Sequence, residues 1–188
     1  MYKRITLLTL CFGMFTFISC KHNGNTENAN PVPNGMVRLD LSKAGIPATI
    51  DVPDTSQQQY GIESTPSGSI HVFVGGKFQL LINVSGESIA MKKSDINGND
   101  IDKPKSWVVN DSTDLLYSTQ KDTNAFPDSK EDFHFYAIVK KSKATYYVQD
   151  LEQGTDGTVY TYGKEQAQTM LTSAKSITPV TPPAKNPS

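Results

Sequence analysis

Three residues occur in an order that suits acyl-transfer chemistry: Ser88, Asp114 and His134. The segment 86–90 (GESIA) follows a predicted strand and precedes a predicted helix, which is the setting of a sharp turn that exposes a nucleophilic serine. Such turns belong to parallel sheets built from βα units, whereas this chain predicts hairpins and few helices. A helix N-cap explains Ser85 and its neighbours equally well. We therefore expect no catalytic residue and keep a small hydrolase using Ser88 as the alternative.

Two features invite a metal interpretation. His71 and His134 lie on predicted central strands, and two facing imidazoles can bind a metal, but no third ligand stands at a recognisable spacing. The segment 95–100 (DINGND) is rich in oxygen ligands, yet an EF-hand loop requires Gly and Glu where this chain has Asp100 and Ser106. A hydrogen-bonded histidine and a plain turn explain these residues better, so we expect neither a metal nor a cofactor.

Tyrosines crowd the second half of the chain. Alternating tyrosines on strands usually pack at a half-buried sheet surface, but several on one face would form an adhesive surface for a glycan or a protein. This surface is the partner-binding site that the sequence favours, and docked helices burying all of it would exclude it. The six tyrosines are Tyr117, Tyr136, Tyr146, Tyr147, Tyr160 and Tyr162.

The N-terminus predicts export. Lys3 and Arg4 precede an apolar run over 5–18. A run of about 14 residues is shorter than the roughly 20 that a membrane-spanning helix needs, so it is typical of a signal peptide.

The end of this leader, Ile18-Ser19-Cys20, resembles the lipobox of bacterial lipoproteins. The resemblance implies that 1–19 is a signal peptide and that Cys20 is lipidated and becomes the first residue, held on a membrane. An ordinary secretory leader with an incidental cysteine is the alternative, but its small-x-small cleavage site is absent. By analogy with lipoproteins, Lys21 in place of Asp favours the outer membrane, facing the periplasm or the cell surface.

Charge and cysteine content bear on the partners and the disulfides that this protein can have. The chain has 18 Lys and Arg against 19 Asp and Glu, with no basic cluster outside the leader, so we expect no nucleic-acid partner. Cys11 lies in the leader, so the mature protein would have no disulfide. The sequence predicts a lipidated Cys20 and flexible tether over 20–35, one domain over 36–177 and an unpacked Pro-rich tail over 178–188.

Period-two patterns dominate the domain. Strands are predicted over 37–41 and 48–52, the second at a sheet edge because Pro47 and Pro53 bracket it. The segment 69–85 predicts a hairpin around an odd, three-residue loop, which pairs Val74 with Phe78, Val72 with Leu80 and Ile70 with Ile82. The reverse face carries Phe73 and Leu81, so we expect this hairpin to be central and covered on both sides.

Helices and further strands complete the prediction. A helix is expected over 87–96, with Ser85 as a possible N-cap, and the C-terminal helix is strongly amphipathic. The apolar side of that last helix comprises Ala167, Met170, Leu171, Ala174 and Ile177. Further strands are predicted over 107–109, 115–119, 133–139, 145–151 and 159–162. The fold class is therefore α+β, a central antiparallel sheet of hairpins flanked by a mid-chain helix and a C-terminal helix.

The order of elements, with Met170, Leu171, Ser173 and Ile177 in the last helix, is similar to the PsbP-like family shared with Ran-binding Mog-type proteins. The resemblance implies a fold only, because fold does not define function. The sequence thus predicts an envelope-anchored lipoprotein that serves as a non-catalytic binding or accessory module for a glycan or another envelope protein; a small envelope serine hydrolase using Ser88 is the alternative.

Overall fold

The computed structural model describes residues 31–154 and 156–180. Within these ranges the chain forms two α-helices, α1 (Ile89–Asn97) and α2 (Lys164–Ser176), and a short 3₁₀ turn at Ser42–Ala44. The strands of the same ranges are β1 (Met36–Asp40), β2 (Ala48–Pro53), β3 (Tyr60–Ser64), β4 (Ile70–Val74), β5 (Phe78–Asn83), β6 (Asp102–Asn110), β7 (Asp114–Lys121), β8 (Asp132–Lys140), β9 (Thr145–Asp150) and β10 (Thr178–Pro179).

Seven of the described strands form one antiparallel sheet in the order β3-β4-β5-β9-β8-β7-β6. The helices lie on opposite faces of this sheet. Tyr136 packs with Ile89 and Ile96 of α1, whereas its neighbour Ala137 belongs to the core that contains Met170 of α2. Adjacent residues of a strand point to opposite faces, so one strand supports both helices. The α+β class with a mid-chain and a C-terminal helix is confirmed.

Helix α2 buries the apolar stripe predicted from its spacing. The helix packs mainly on β8 and β2, and its buried side joins the larger of the two hydrophobic clusters. That cluster draws on both the seven-stranded sheet and the three-stranded sheet. The predicted stripe is buried at every position, namely Ala167, Met170, Leu171, Ala174 and Ile177.

The central hairpin has the predicted odd register. Val74 lies opposite Phe78, Val72 opposite Leu80 and Ile70 opposite Ile82. In the loop, Gly75 takes a left-handed φ of 56°. The reverse face is covered less than predicted, because Phe73 and Leu81 are only half-buried. Helix α1 instead covers β6, β7 and β8 on that side.

Strand β2 is not the edge strand that its prolines suggested. It lies between β1 and β10 in a separate three-stranded sheet. Pro47 precedes the strand, and Pro53 is its last residue, opposite Met36. Because proline lacks a backbone N–H only at these two ends, the middle of β2 keeps all of its hydrogen-bond donors. Since β10 begins at Thr178, the predicted unpacked tail does not start there. The rest of that tail, 181–188, lies outside the described residues.

Some element predictions need correction at short or polar segments. Strand β3 was not predicted, because its segment is mostly polar. It pairs with β4, and Gly61 of β3 makes room for the Phe73 ring, which a Cβ at that position would meet at 2.5 Å. The predicted strand at 159–162 is reduced to one bridge between Val159 and Gln153. Helix α1 is capped by Ser88 rather than Ser85.

The predicted leader and most of the tether, residues 1–30, lie outside the described residues. The last tether residue, Gly35, accepts a hydrogen bond from the Asp54 N–H at 2.9 Å. Within the described ranges, neither helix combines the length and the apolar run that crossing a bilayer requires.

Candidate functional site

A cleft of about 670 Å³ opens beside the C-terminal turn of α1. Its walls come from that turn, from the adjoining ends of β7 and β8, and from the segment that follows β9. Most of the lining side chains are polar or charged. We call this feature the α1 cleft.

His134 lies at the wall of the α1 cleft with only 6% of its surface exposed. Its Nδ1 is 2.9 Å from Asp150 Oδ2, and its Nε2 is 3.1 Å from Thr119 Oγ1. The Tyr117 ring packs against the imidazole with centroids 5.4 Å apart. Both ring nitrogens are therefore satisfied and the ring orientation is fixed.

The end of a strand ladder places Asp150 there. The pairing between β8 and β9 ends at Tyr136 and Gln149, one residue before Asp150. Instead of continuing the ladder on that side, Asp150 accepts the Phe135 N–H through its own Oδ1 at 2.8 Å. One carboxylate oxygen thus accepts the N–H that a strand carbonyl would otherwise accept, and the other oxygen bonds to His134.

Carboxylates determine the charge of His134. Burial by itself lowers the pKa of the imidazole, but the hydrogen bond and charge of Asp150, with the charges of Glu152 and Asp132, outweigh it and raise the pKa to about 9. His134 is therefore a cation at neutral pH and donates at both nitrogens. Burial also raises the pKa of Asp132 and, strongly, that of the Tyr117 hydroxyl.

The chain Thr119–His134–Asp150 has the connectivity of a nucleophile, a base and an orienting acid. A general base must hold a free lone pair at the working pH. The protonated imidazole has none near neutrality, because the surrounding carboxylates keep its proton in place. The arrangement is better suited to fixing charge and shape at the cleft wall than to activating Thr119.

The structure does not assemble the predicted hydrolase residues. Ser88 is exposed, and its hydroxyl caps α1 by accepting the Met91 N–H at 3.3 Å. Asp114 pairs with Lys175 of α2 at 2.5 Å, on the face opposite His134. Each of the three residues therefore has different partners.

The six tyrosines do not form one exposed surface. Tyr117 and Tyr136 are buried against α1, and Tyr146 is buried in the cluster on the α2 side. Tyr162 is also buried, and its hydroxyl donates to the Leu151 carbonyl. The burial has a simple cause, because the strands that carry most of these tyrosines are central and a helix lies on each face. Tyr147 and Tyr160 are half-buried, and the α1 cleft collects three of the six: Tyr117, Tyr160 and Tyr162.

The two histidines considered as a metal pair have separate partners. His71 Nε2 lies 2.7 Å from Gln79 Oε1 on the central hairpin, far along the sheet from the strand of His134. The oxygen-rich segment 95–100 is the end of α1 followed by a turn. There Asn99 Oδ1 accepts the N–H groups of Ile101 and Asp102, each at 2.9 Å, as a plain turn predicts.

No protein-family model, no curated protein and no solved structure matches this chain. The resemblances to bacterial lipoproteins and to the PsbP-like family stay predictions.

Proposed function

We propose that this chain is a cell-envelope lipoprotein, anchored through Cys20, whose folded part is a non-catalytic binding module that uses the α1 cleft. The observation that supports a binding role is a roomy, mostly polar cleft at whose wall hydrogen bonds to Asp150 and Thr119 fix the orientation of His134.

The lining favours a ligand that carries hydroxyl or ammonium groups. The described lining includes six carboxylate residues and three lysines, with tyrosines between them. Carboxylates accept hydrogen bonds from sugar hydroxyls and pair with basic side chains. We therefore favour an envelope glycan or a basic segment of an envelope protein. The six carboxylates are Asp95, Asp102, Asp128, Glu131, Asp132 and Glu152.

Replacing Cys20 by alanine tests the anchor. We expect the wild-type chain to fractionate with membranes and the Cys20→Ala chain to leave the membrane fraction, because acyl chains attached there supply the hydrophobic hold. Mass spectrometry of the wild-type N-terminus should find an acylated cysteine. The matched control is Cys11→Ala, which should fractionate as the wild type does. A Cys20→Ala chain that stays with the membranes would contradict the anchor.

A photo-crosslinking amino acid placed in the α1 cleft tests the binding module. Val159 lines the cleft and is 70% exposed, whereas Val84 is 67% exposed and does not line it. We expect illumination of intact cells to give a discrete adduct from position 159 and none from position 84, read as a shifted band and by mass spectrometry. Equal labelling at both positions would show that the cleft has no selective ligand.

A further inference from the structure

His134 and Glu152 line the α1 cleft, and together with the buried Asp150 beside them they bring three possible metal-ligand atoms close together. One imidazole nitrogen of His134 and one carboxylate oxygen each from Asp150 and Glu152 all lie within 4.8 Å of one another. Nδ1 is 2.9 Å from Asp150 Oδ2 and 3.8 Å from Glu152 Oε1. Two atoms that share a tetrahedral zinc ion at roughly 2.1 Å are about 3.4 Å apart. The measured separations lie on either side of that value.

The groups behind these side chains have the form that supports metal ligands. A metal-bound histidine usually donates its other ring N–H to an oxygen, and a bound carboxylate is itself hydrogen-bonded. Here Nε2 of His134 faces Thr119 Oγ1, and the second oxygen of Asp150 accepts the Phe135 N–H. Both supports use atoms other than the three that converge.

The third side chain and the surrounding space complete the geometry. Glu152 has 70% of its side chain exposed, and its Oε1 already lies 3.8 Å from Nδ1 of His134. The α1 cleft gives room for a water or a ligand in a fourth position. Three protein ligands with one open position is the arrangement of zinc sites that act on or hold small molecules.

We propose that His134, Asp150 and Glu152 bind one zinc ion whose fourth position faces the α1 cleft. On binding, Zn²⁺ takes the place of the proton between Nδ1 and Oδ2, and that proton passes to solvent. An imidazole with carboxylates suits zinc better than calcium or magnesium, which prefer all-oxygen sites. The inference adds a metal to the proposed binding module and holds whether or not Cys20 is acylated.

The test is a zinc titration of the full chain by isothermal calorimetry, after EDTA treatment, removal of the EDTA and alkylation of the thiols. We expect one zinc per chain for the wild type. Glu152→Gln should weaken binding at least about tenfold, as loss of a ligand or its support does, and His134→Gln should weaken it further. The controls His71→Gln and His22→Gln remove the other histidines and should bind as the wild type does.

Thermal melting gives a second readout, because an ion that binds only the folded state raises the melting temperature. We expect zinc to raise the melting temperature of the wild type and to raise that of Glu152→Gln much less. Because Glu152 is exposed, this variant should fold, and it therefore tests the site even if His134→Gln does not fold. Failure of the wild type to bind zinc at about 100 µM, or equal affinity in Glu152→Gln, would overturn the site. A selective adduct from position 159 in that case would leave the binding module standing.

Discussion

Replacing Asp150 by alanine is expected to lower the free energy of unfolding by about 3 to 5 kcal/mol, measured by urea denaturation at pH 7 in EDTA. The change removes the partner of a buried imidazolium and the acceptor of the Phe135 N–H at once. Either loss leaves a buried polar group without its partner. The free-energy cost of that unpaired group is larger than the net stabilisation that the intact pair provided.

Glu152→Gln is the matched control for that experiment. Glu152 also faces His134, but at 3.8 Å and with 70% of its side chain exposed, so solvent screens the interaction. We expect a change within about 1 kcal/mol for this variant. If Asp150→Ala were no less stable than Glu152→Gln, the pair of Asp150 and His134 would not be a structural element.

Stability should fall as the pH rises from 6.5 to 9. The pKa of His134 is raised from 6.5 to about 9 by Asp150, Glu152 and Asp132 against the effect of burial. A raised pKa means that the folded state binds the proton more tightly than the unfolded state. The stabilisation is complete below about pH 6.5, declines above it, and is lost once the pH passes about 9, for a total of about 3 kcal/mol.

Urea denaturation in EDTA at pH 6, 7.5 and 9.5 measures this loss, and NMR titration of the imidazole measures the pKa directly. His71→Gln and His22→Gln assign the signal, since the chain has three histidines. Asp132 and Tyr117 also face the ring, so His134→Gln serves as the reference and should lose less stability over the same range. A His134 signal that titrates at or below pH 6.5 would contradict the prediction.

The hairpin and the last helix were predictable because local pattern decides them. Only an odd loop brings Val74 and Phe78 into a register that puts the apolar residues of both strands on one face, and the structure has that register. The stripe of α2 likewise follows from helical spacing alone. The position of β2 was not predictable from its prolines, because β10 pairs with it from more than 120 residues away.

Only one of the three proposed zinc ligands could be singled out from the sequence. His134 stood out, but Asp150 and Glu152 did not, since no short motif joins them to it. The strand register does not supply the missing signal either, because the ladder between β8 and β9 ends at Tyr136 and Gln149, before it reaches His134 and Asp150. The charge of the imidazole needed the burial and the distances, which no sequence pattern supplies.

If the chain is anchored through Cys20, as we propose, the three-stranded sheet has a mechanical consequence. Traction arriving at Met36 meets β1, which is attached to its sheet by a single ladder of pairs with β2. The walls of the α1 cleft come from α1, from strands of the larger sheet and from the segment after β9. We expect a force applied at that end to separate β1 from β2 before it disturbs the α1 cleft.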